Sequence, residues 1–322
     1  MELTSYAMPD ATIILSRMAM ELRHLRYFIA VATEGHITRA AEQLNIQQPP
    51  LSRQIKALEQ ELDVQLFRRK ARGVELTEAG KALLEGARAI LARLDNTLDT
   101  TRRAARGEQG RISVGVTPTC MYHPFVPKVV RAFREAFPYV MLELKESPSS
   151  VLFEHLTEDQ VDACFVRITP SDPTGIAIDP LLEEPMVVAL PRAHTLARGR
   201  PSTPLSLQAL AGETFIVYGD PHGPGIHAVA FRAFQAAGFS PLIGQQAPQL
   251  ASTLNLVAVG LGASFVPASL QRMHVDGVAY RRLVGALKLA APIKLATRRG
   301  DPSVVVRNFR NLVRGAAKKL SD

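Results

Sequence analysis

HITRAAEQLNIQQPPLSRQIKALEQEL, residues 36–62, decides how the rest of this chain is read. Thr38 is a good helix N-cap, and Arg39-Ala40-Ala41-Glu42-Gln43-Leu44 continues it with strong helix formers. Asn45 ends that run, because asparagine tolerates the left-handed conformation found just past a helix. Gln47-Gln48 and Pro49-Pro50 then open a second helix, since proline is tolerated in a first turn. Leu51, Ile55, Leu58 and Leu62 step by 4, 3 and 4 and make one apolar stripe. The other face of that helix begins with Gln48, Ser52, Arg53 and Lys56, side chains that reach base edges and phosphates. A helix-turn-helix places this N-terminal half in the major groove. An ordinary surface helical hairpin is the alternative that the pattern by itself leaves open.

Working outward, Glu21 to Thr33 makes a first helix, with Leu22, Leu25, Phe28, Ile29 and Ala32 recurring at helical spacing beneath the pair. Beyond Leu62, Val64 to Leu76 alternates weakly around Lys70-Ala71-Arg72-Gly73, which reads as a two-stranded wing. Arg68, Arg69, Lys70 and Arg72 form the densest basic cluster in the chain, suited to backbone phosphates. Thr77 starts a long helix. Leu83, Ala87, Ile90, Leu94, Thr97 and Thr101 follow a heptad seam along it, until Gly107 to Gly110 stops it. Such a helix wants a partner; packing on the chain's own second domain is the alternative.

Five blocks in this region carry a family resemblance: Glu21-Leu22-Arg23-His24-Leu25-Arg26-Tyr27-Phe28, Arg39 to Leu44, Gln48-Pro49-Pro50-Leu51-Ser52-Arg53-Gln54-Ile55, Leu66-Phe67-Arg68-Arg69 and Leu76-Thr77-Glu78-Ala79-Gly80. In this order and spacing they resemble the amino-terminal domain of LysR-type transcriptional regulators. The whole chain is similar to the muconate- and benzoate-responsive members that control aromatic catabolism. The resemblance implies a winged helix-turn-helix over 20–78, a dimerising linker helix over 77–108 and an effector-binding domain over 110–322. Double-stranded operator DNA, a small carboxylate effector, a second copy in a homodimer or homotetramer, and RNA polymerase are the implied partners. Thr38, Arg39, Gln48, Pro49, Ser52, Arg53, Lys56, Arg68 and Arg72 are then the expected DNA contacts.

From Arg111 the period changes. Ile112 to Val116, Val140 to Leu144 and Ala163 to Val166 read as strands separated by helices, hence a parallel βαβαβ unit. A second α/β unit has strands near Met186–Leu190, Phe215–Tyr218 and Ala263–Val266. Its helices lie at Ile226–Ala237 and near Leu250–Val259, and Val278 to Thr297 returns to the first unit. The expectation is an α/β domain of two lobes, about 110–180 plus 285–322 and 181–284, like periplasmic ligand-binding proteins. Ligands in such sheets bind beyond the carboxyl ends of strands, where helix N-termini point in. Thr117-Pro118-Thr119 and Ser147-Pro148-Ser149-Ser150 lie at those places, with no acidic residue inside either motif. Plain N-capping is the other reading of these hydroxyls. The muconate-type resemblance points to Thr119 and Ser149 as carboxylate ligands, with Thr117 a rival. Arg167 matches a pocket arginine of that subgroup and equally suits a surface ion pair. Tyr218, Gly219, Phe265-Val266-Pro267-Ala268-Ser269 and His222 are expected on the opposite wall.

Composition sets the bounds. The 322 residues suffice for two or three domains, and a net charge of +8 permits a nucleic-acid partner without locating it. Residues 20–109 carry 15 Lys and Arg against 12 Asp and Glu, and Gly110 onward 22 against 16, so the excess does not mark the DNA-binding half. Two cysteines, Cys120 and Cys164, are no disulfide framework and suit a reducing cytoplasm; small core side chains or a redox switch are both open. Residues 1–19 read as a disordered extension or as sequence ahead of a true start at Met20. Leu254 to Leu270 is interrupted by Asn255, serines, glycines and Pro267, so no transmembrane run is present. The histidines are scattered, and no metalloprotease, nucleophile-elbow or Walker motif occurs. Gly223-Pro224-Gly225 is too short for a phosphate loop. No cofactor, metal or catalysis is expected. A DNA-binding regulator answering to another small metabolite or to redox state is the second function kept.

Overall fold

A computed structural model describes residues 20–170, 172–198, 203–218, 227–236, 238–284 and 289–321. The expectations for residues 1–19, Gly219, His222 and Gly223-Pro224-Gly225 lie outside these residues. Two compact units divide at Arg102.

The first unit is built on α1 (Leu22–Glu34), α2 (Ile37–Gln43) and α3 (Gln48–Leu62). Leu25, Phe28, Val31, Ala40, Ala41, Leu51, Ile55 and Leu58 close one core, which also takes Leu66 and Ala87. Leu22, expected in that core, is 41% exposed, because α1 turns it outward while Val31 points in. The turn between α2 and α3 is Asn45 at φ 53, with Ile46 N–H donating to Ala41 O at 3.0 Å. His36, not Thr38, is the N-cap residue of α2, so Thr38 lies within the helix. Strands β1 (Phe67–Lys70) and β2 (Gly73–Leu76) pair antiparallel as the wing. Glu59 of α3 ties the wing on, its Oε1 accepting the N–H groups of Leu66 and Phe67 at 2.8 and 3.1 Å. Gly73 has φ +105, and a Cβ there would lie 2.2 Å from Gly35 O. Helix α4 (Glu78–Ala105) leaves the wing with Gly80 N–H bonded to Thr77 Oγ1 at 2.9 Å. Of its seam, Leu83 and Ala87 join the winged core, whereas Ile90 is 49% exposed and Leu94 half-buried; Leu98, off the seam, is 44% exposed.

The second unit starts with β3 (Gln109–Val116), then α5 (Pro118–Met121), α6 (Phe125–Ala136), β4 (Tyr139–Glu146), α7 (Ser149–Thr157) and β5 (Ala163–Val166). Here β3 pairs parallel with both β4 and β5. The next strand is far longer than its expected five residues: β6 runs Ile176–Pro191. Its first half pairs antiparallel with β12 (Ala290–Arg298), which also lies antiparallel to β5. Its second half pairs with β10 (Ser264–Pro267) and β11 (Val278–Val284). One strand therefore crosses both lobes, and the sheet is mixed rather than wholly parallel. Pro180, Pro185 and the acidic Asp179, Glu183 and Glu184 interrupt its apolar pattern, and the register slips opposite Ile293/Lys294.

Alternation assigns the cores. In β5, Ala163 and Phe165 face α6 and α10 (Val304–Ser321), and Cys164 and Val166 face α7. In β6, Met186, Val188 and Leu190 face a cluster with Phe215, Phe234 and Phe265; Val187 and Ala189 face one with Leu250, Leu254 and Val257. Strands β7 (Leu205–Ser206), β8 (Thr214–Tyr218) and β9 (Leu242–Ala247) and helices α8 (His227–Ala236) and α9 (Leu250–Ala258) complete the second lobe.

Candidate functional site

Two surfaces bring the expected residues together. On the first unit, α3 buries Leu51, Ile55 and Leu58 and so turns Gln48, Pro49, Arg53 and Lys56 outward, with Ser52 half-buried beside them. Among the described residues, the side chains of Gln48, Ser52, Arg53 and Lys56 have no hydrogen-bond or ion-pair partner, which leaves their donors available. No side chain caps α3, and its first turn holds two prolines, so its positive end faces outward. Thr38 and Arg39 are exposed on the adjoining helix. Arg39 is partly engaged, donating to Glu34 O at 2.6 Å with the Glu34 carboxylate at 3.7 Å. On the wing, Lys70 is paired with Glu75 at 2.6 Å, and this pairing holds the Glu75 carboxyl below its usual range. Arg68, Arg69 and Arg72 remain exposed cations there.

The second surface lies at the carboxyl ends of the strands between the lobes. Thr117 is the N-cap residue of α5 and is 6% exposed, and its Oγ1 makes no capping bond and meets only the Cys120 thiol. Cappers normally use that oxygen on the helix, so capping alone does not describe Thr117. Thr119, also 6% exposed, offers its carbonyl to Arg167. Ser149 begins α7 and is half-buried, and Ser147 N–H donates to Val116 O at 3.2 Å, drawing the two hydroxyl motifs together.

Arg167 is neither at the surface nor a free pocket cation. At 4% exposure it donates to Glu184 Oε2, Thr119 O and Ala291 O, each at 2.7 Å, and only its Nε lacks a partner. Glu184, 3% exposed on β6, accepts from Ser269 N with its other oxygen at 2.5 Å. This ion pair joins the first lobe, both crossing strands and the turn after β10. Sequence reasoning missed Glu184 because Glu183-Glu184-Pro185 looks like a solvated turn, and its partner is 17 residues away.

Other neighbours went unread as well. His123 Nδ1 accepts Phe125 N–H at 3.2 Å. Burial lowers the His123 pKa, opposed by Glu184, and Arg167 and Arg272 lower it further, so that ring sits among charges from both lobes. Burial pushes the Tyr218 phenol up, and Glu146 and Tyr122 push it the same way, which sets Tyr218 across from the end of β4. An acid thus lies directly beside the Ser147–Ser150 motif. Phe265 is not a cleft wall: its ring stacks on Phe215 at 5.1 Å and meets Phe234 edge-on at 5.1 Å, inside the second lobe. Both thiols are buried. Burial pushes Cys164 up to about 12 and raises Cys120, against the pull of Arg167 and Thr117. Among the described residues no helix is long and apolar enough to cross a membrane, and no group of His, Cys, Asp and Glu could hold a metal ion.

Comparison with known proteins matches both surfaces to one family. Residues 22–81 fit the model of the bacterial regulatory helix-turn-helix protein, lysR family, and residues 105–318 that of the LysR substrate binding domain. The chain is 36% identical over 290 residues to the HTH-type transcriptional regulator AlsR of Bacillus subtilis (strain 168), covering 90% of this chain and 94% of that one. It is 38% identical over 294 residues to the HTH-type transcriptional regulator CatR of Pseudomonas putida, covering 91% and 98%. The crystal structure of full-length CbnR complexed with its target DNA superposes with a TM-score of 0.81 at 32% identity, covering 92% of this chain and 100% of that one. These relatives are regulators, not enzymes, and the chain belongs with them to the LysR family of transcriptional regulators.

Proposed function

We propose that this regulator acts in the cytoplasm on operator DNA and is switched by a small carboxylate, most directly one arising in the breakdown of aromatic compounds. The observation that carries the carboxylate is the buried Thr117 Oγ1, which caps no helix N–H and meets only the Cys120 thiol, beside an Arg167–Glu184 pair whose Arg167 Nε has no partner. Thr117 is the N-cap residue of α5 and Ser149 opens α7, and hydroxyls placed at helix starts make an environment that favours an anion. The DNA side rests on the outward face of α3, with Arg53 at its centre, and on the wing arginines Arg68 and Arg72. Along α4 the exposed Ile90 and Leu98, with the half-buried Leu94 between them, support pairing with a second copy into a homodimer or homotetramer. RNA polymerase is the partner through which bound regulator changes transcription. The resemblance to muconate- and benzoate-responsive regulators supports the aromatic origin. A small aliphatic acid is the second reading, favoured by the Phe265 ring, which packs within its own lobe and leaves the cleft less apolar. Redox control is disfavoured by two buried thiols held in the protonated form.

The test is a footprint on the DNA upstream of its own gene, with and without benzoate, muconate and short aliphatic acids. A footprint whose extent changes with an acid supports the reading. One that changes only with an oxidant, or only with a neutral or cationic compound, overturns the carboxylate.

A further inference from the structure

We propose that Ser269, on the turn that follows β10, is an effector-contacting residue supplied by the second lobe, so that one carboxylate is gripped by the hydroxyls of Thr117 and Ser269 together. This rests on the carboxylate reading of the cleft. Both side chains are more than nine-tenths buried, at 6% and 8% exposure; Ser269 Oγ has no hydrogen-bond partner, and Thr117 Oγ1 meets only the Cys120 thiol, a weak one. A buried hydroxyl left unpaired costs about 1–3 kcal/mol, and nearly all such groups in folded proteins are paired. One unpaired and one met only by a thiol, at opposite ends of a single network, call for a shared occupant.

The network is continuous. Ser269 N–H donates to Glu184 Oε1, Arg167 donates to Glu184 Oε2 and to Thr119 O, and Thr117 stands two residues before Thr119 at the start of the same short helix. It runs from the second lobe to the first. Arg167 Nε, also buried without a partner, lies on it as well. His123, whose Nδ1 accepts a backbone N–H, carries its proton on Nε2 and is a donor there. Arg272, on the same turn as Ser269, adds positive charge beside His123. Glu184 has both oxygens occupied, so its charge is compensated within the protein. The buried atoms left on this network without a full partner are donors, and a carboxylate, with two acceptor oxygens, satisfies two hydroxyls at once.

A ligand held in this way draws the turn at Ser269 toward Thr117. Benzoate and cis,cis-muconate are titrated calorimetrically into the full-length wild type, Ser269→Ala and Thr117→Val, and amide exchange is followed across residues 264–270. Each variant should weaken the binding acid roughly tenfold, the loss of about one hydrogen bond. The acid should protect residues 264–270 in the wild type and leave them unprotected in Ser269→Ala. Ser269→Ala should not lower the melting temperature of the unliganded chain, since it removes a hydroxyl that has no partner. If Thr117→Val weakens binding and Ser269→Ala does not, the cleft reading stands and the bridge between lobes is refuted. A wild type that binds neither acid overturns both.

Discussion

Arg167→Met tests whether the ion pair between the lobes holds the second unit together. The guanidinium makes three bonds of 2.7 Å, to Glu184, Thr119 O and Ala291 O. Methionine fills most of the volume but donates nothing. Glu184, 3% exposed, would keep its charge with only Ser269 N–H to answer it. Removing one partner of a buried pair costs about 3–5 kcal/mol, because the other charge stays desolvated. For a unit of this size, each kcal/mol lowers the melting temperature by about 2–4 °C, so the second unit should melt roughly 6–20 °C earlier. Adding Glu184→Gln should recover roughly 2 kcal/mol of that loss. The neutral amide still accepts from Ser269 N–H, and its own N–H groups reach the carbonyls that Arg167 abandoned. Thermal unfolding of the full-length chain, followed by circular dichroism as separate transitions for the two units, gives the comparison. The transition of the first unit serves as the internal control. A single variant that melts within about 2 °C of wild type, or a double variant whose loss is the sum of two single losses, refutes the reasoning.

The other expectations bear on DNA, assembly and the thiols. Arg53→Ala should weaken operator binding by about 1–3 kcal/mol in a gel-shift titration and leave acid binding untouched; unchanged operator affinity means that this face of α3 does not meet DNA. Leu94→Glu should lower the mass seen by light scattering and, with it, DNA affinity, because two half-sites are no longer engaged together; a variant that stays dimeric through α4 contradicts that role. Cys164 should resist alkylation at pH 8, since a thiol raised to about 12 keeps its proton throughout the neutral range and only an opened chain exposes a thiolate. Labelling as fast as a free thiol would restore the redox alternative.

The two halves of this protein were unequally legible, for a physical reason. The DNA-binding face is one helix read by its own period: Leu51, Ile55 and Leu58 go inward, and the same rotation sends Gln48, Arg53 and Lys56 outward. Asn45 at φ 53 marks the turn within a single residue. Glu59 was less readable, because its work for the wing depends on Leu66 and Phe67 coming back beside α3. Thr38 was misplaced by one turn of reasoning, since the chain is already helical at Ile37 and a good capping residue is not always in the capping place.

The cleft is a product of topology. Its network joins Thr119, Arg167, Glu184, Ser269 and Ala291, five positions on five different segments, and no local period links them. Strand β6 shows why. Its two internal prolines and three acids read as a loop, yet β12, more than a hundred residues downstream, pairs along it through a register slip and buries Glu184 at the crossing. Phe265 has the composition of a ligand wall and of a core residue alike, and only its stacking on Phe215 decides for the core. Neither hydroxyl motif contains an acid, yet the folded chain sets Glu146 beside the Ser147–Ser150 motif and ties Glu184 through Arg167 to the Thr119 carbonyl. Glu184 does not repel an anion, because Arg167 and Ser269 N–H take up both its oxygens. Glu146 stands opposite Val116 across the sheet and acts on the Tyr218 phenol, as Tyr122 does. The preference for negative charge therefore rests on the unspent donors Ser269 Oγ and Arg167 Nε and on a Thr117 hydroxyl that meets only a thiol, and that set exists only once the lobes are built.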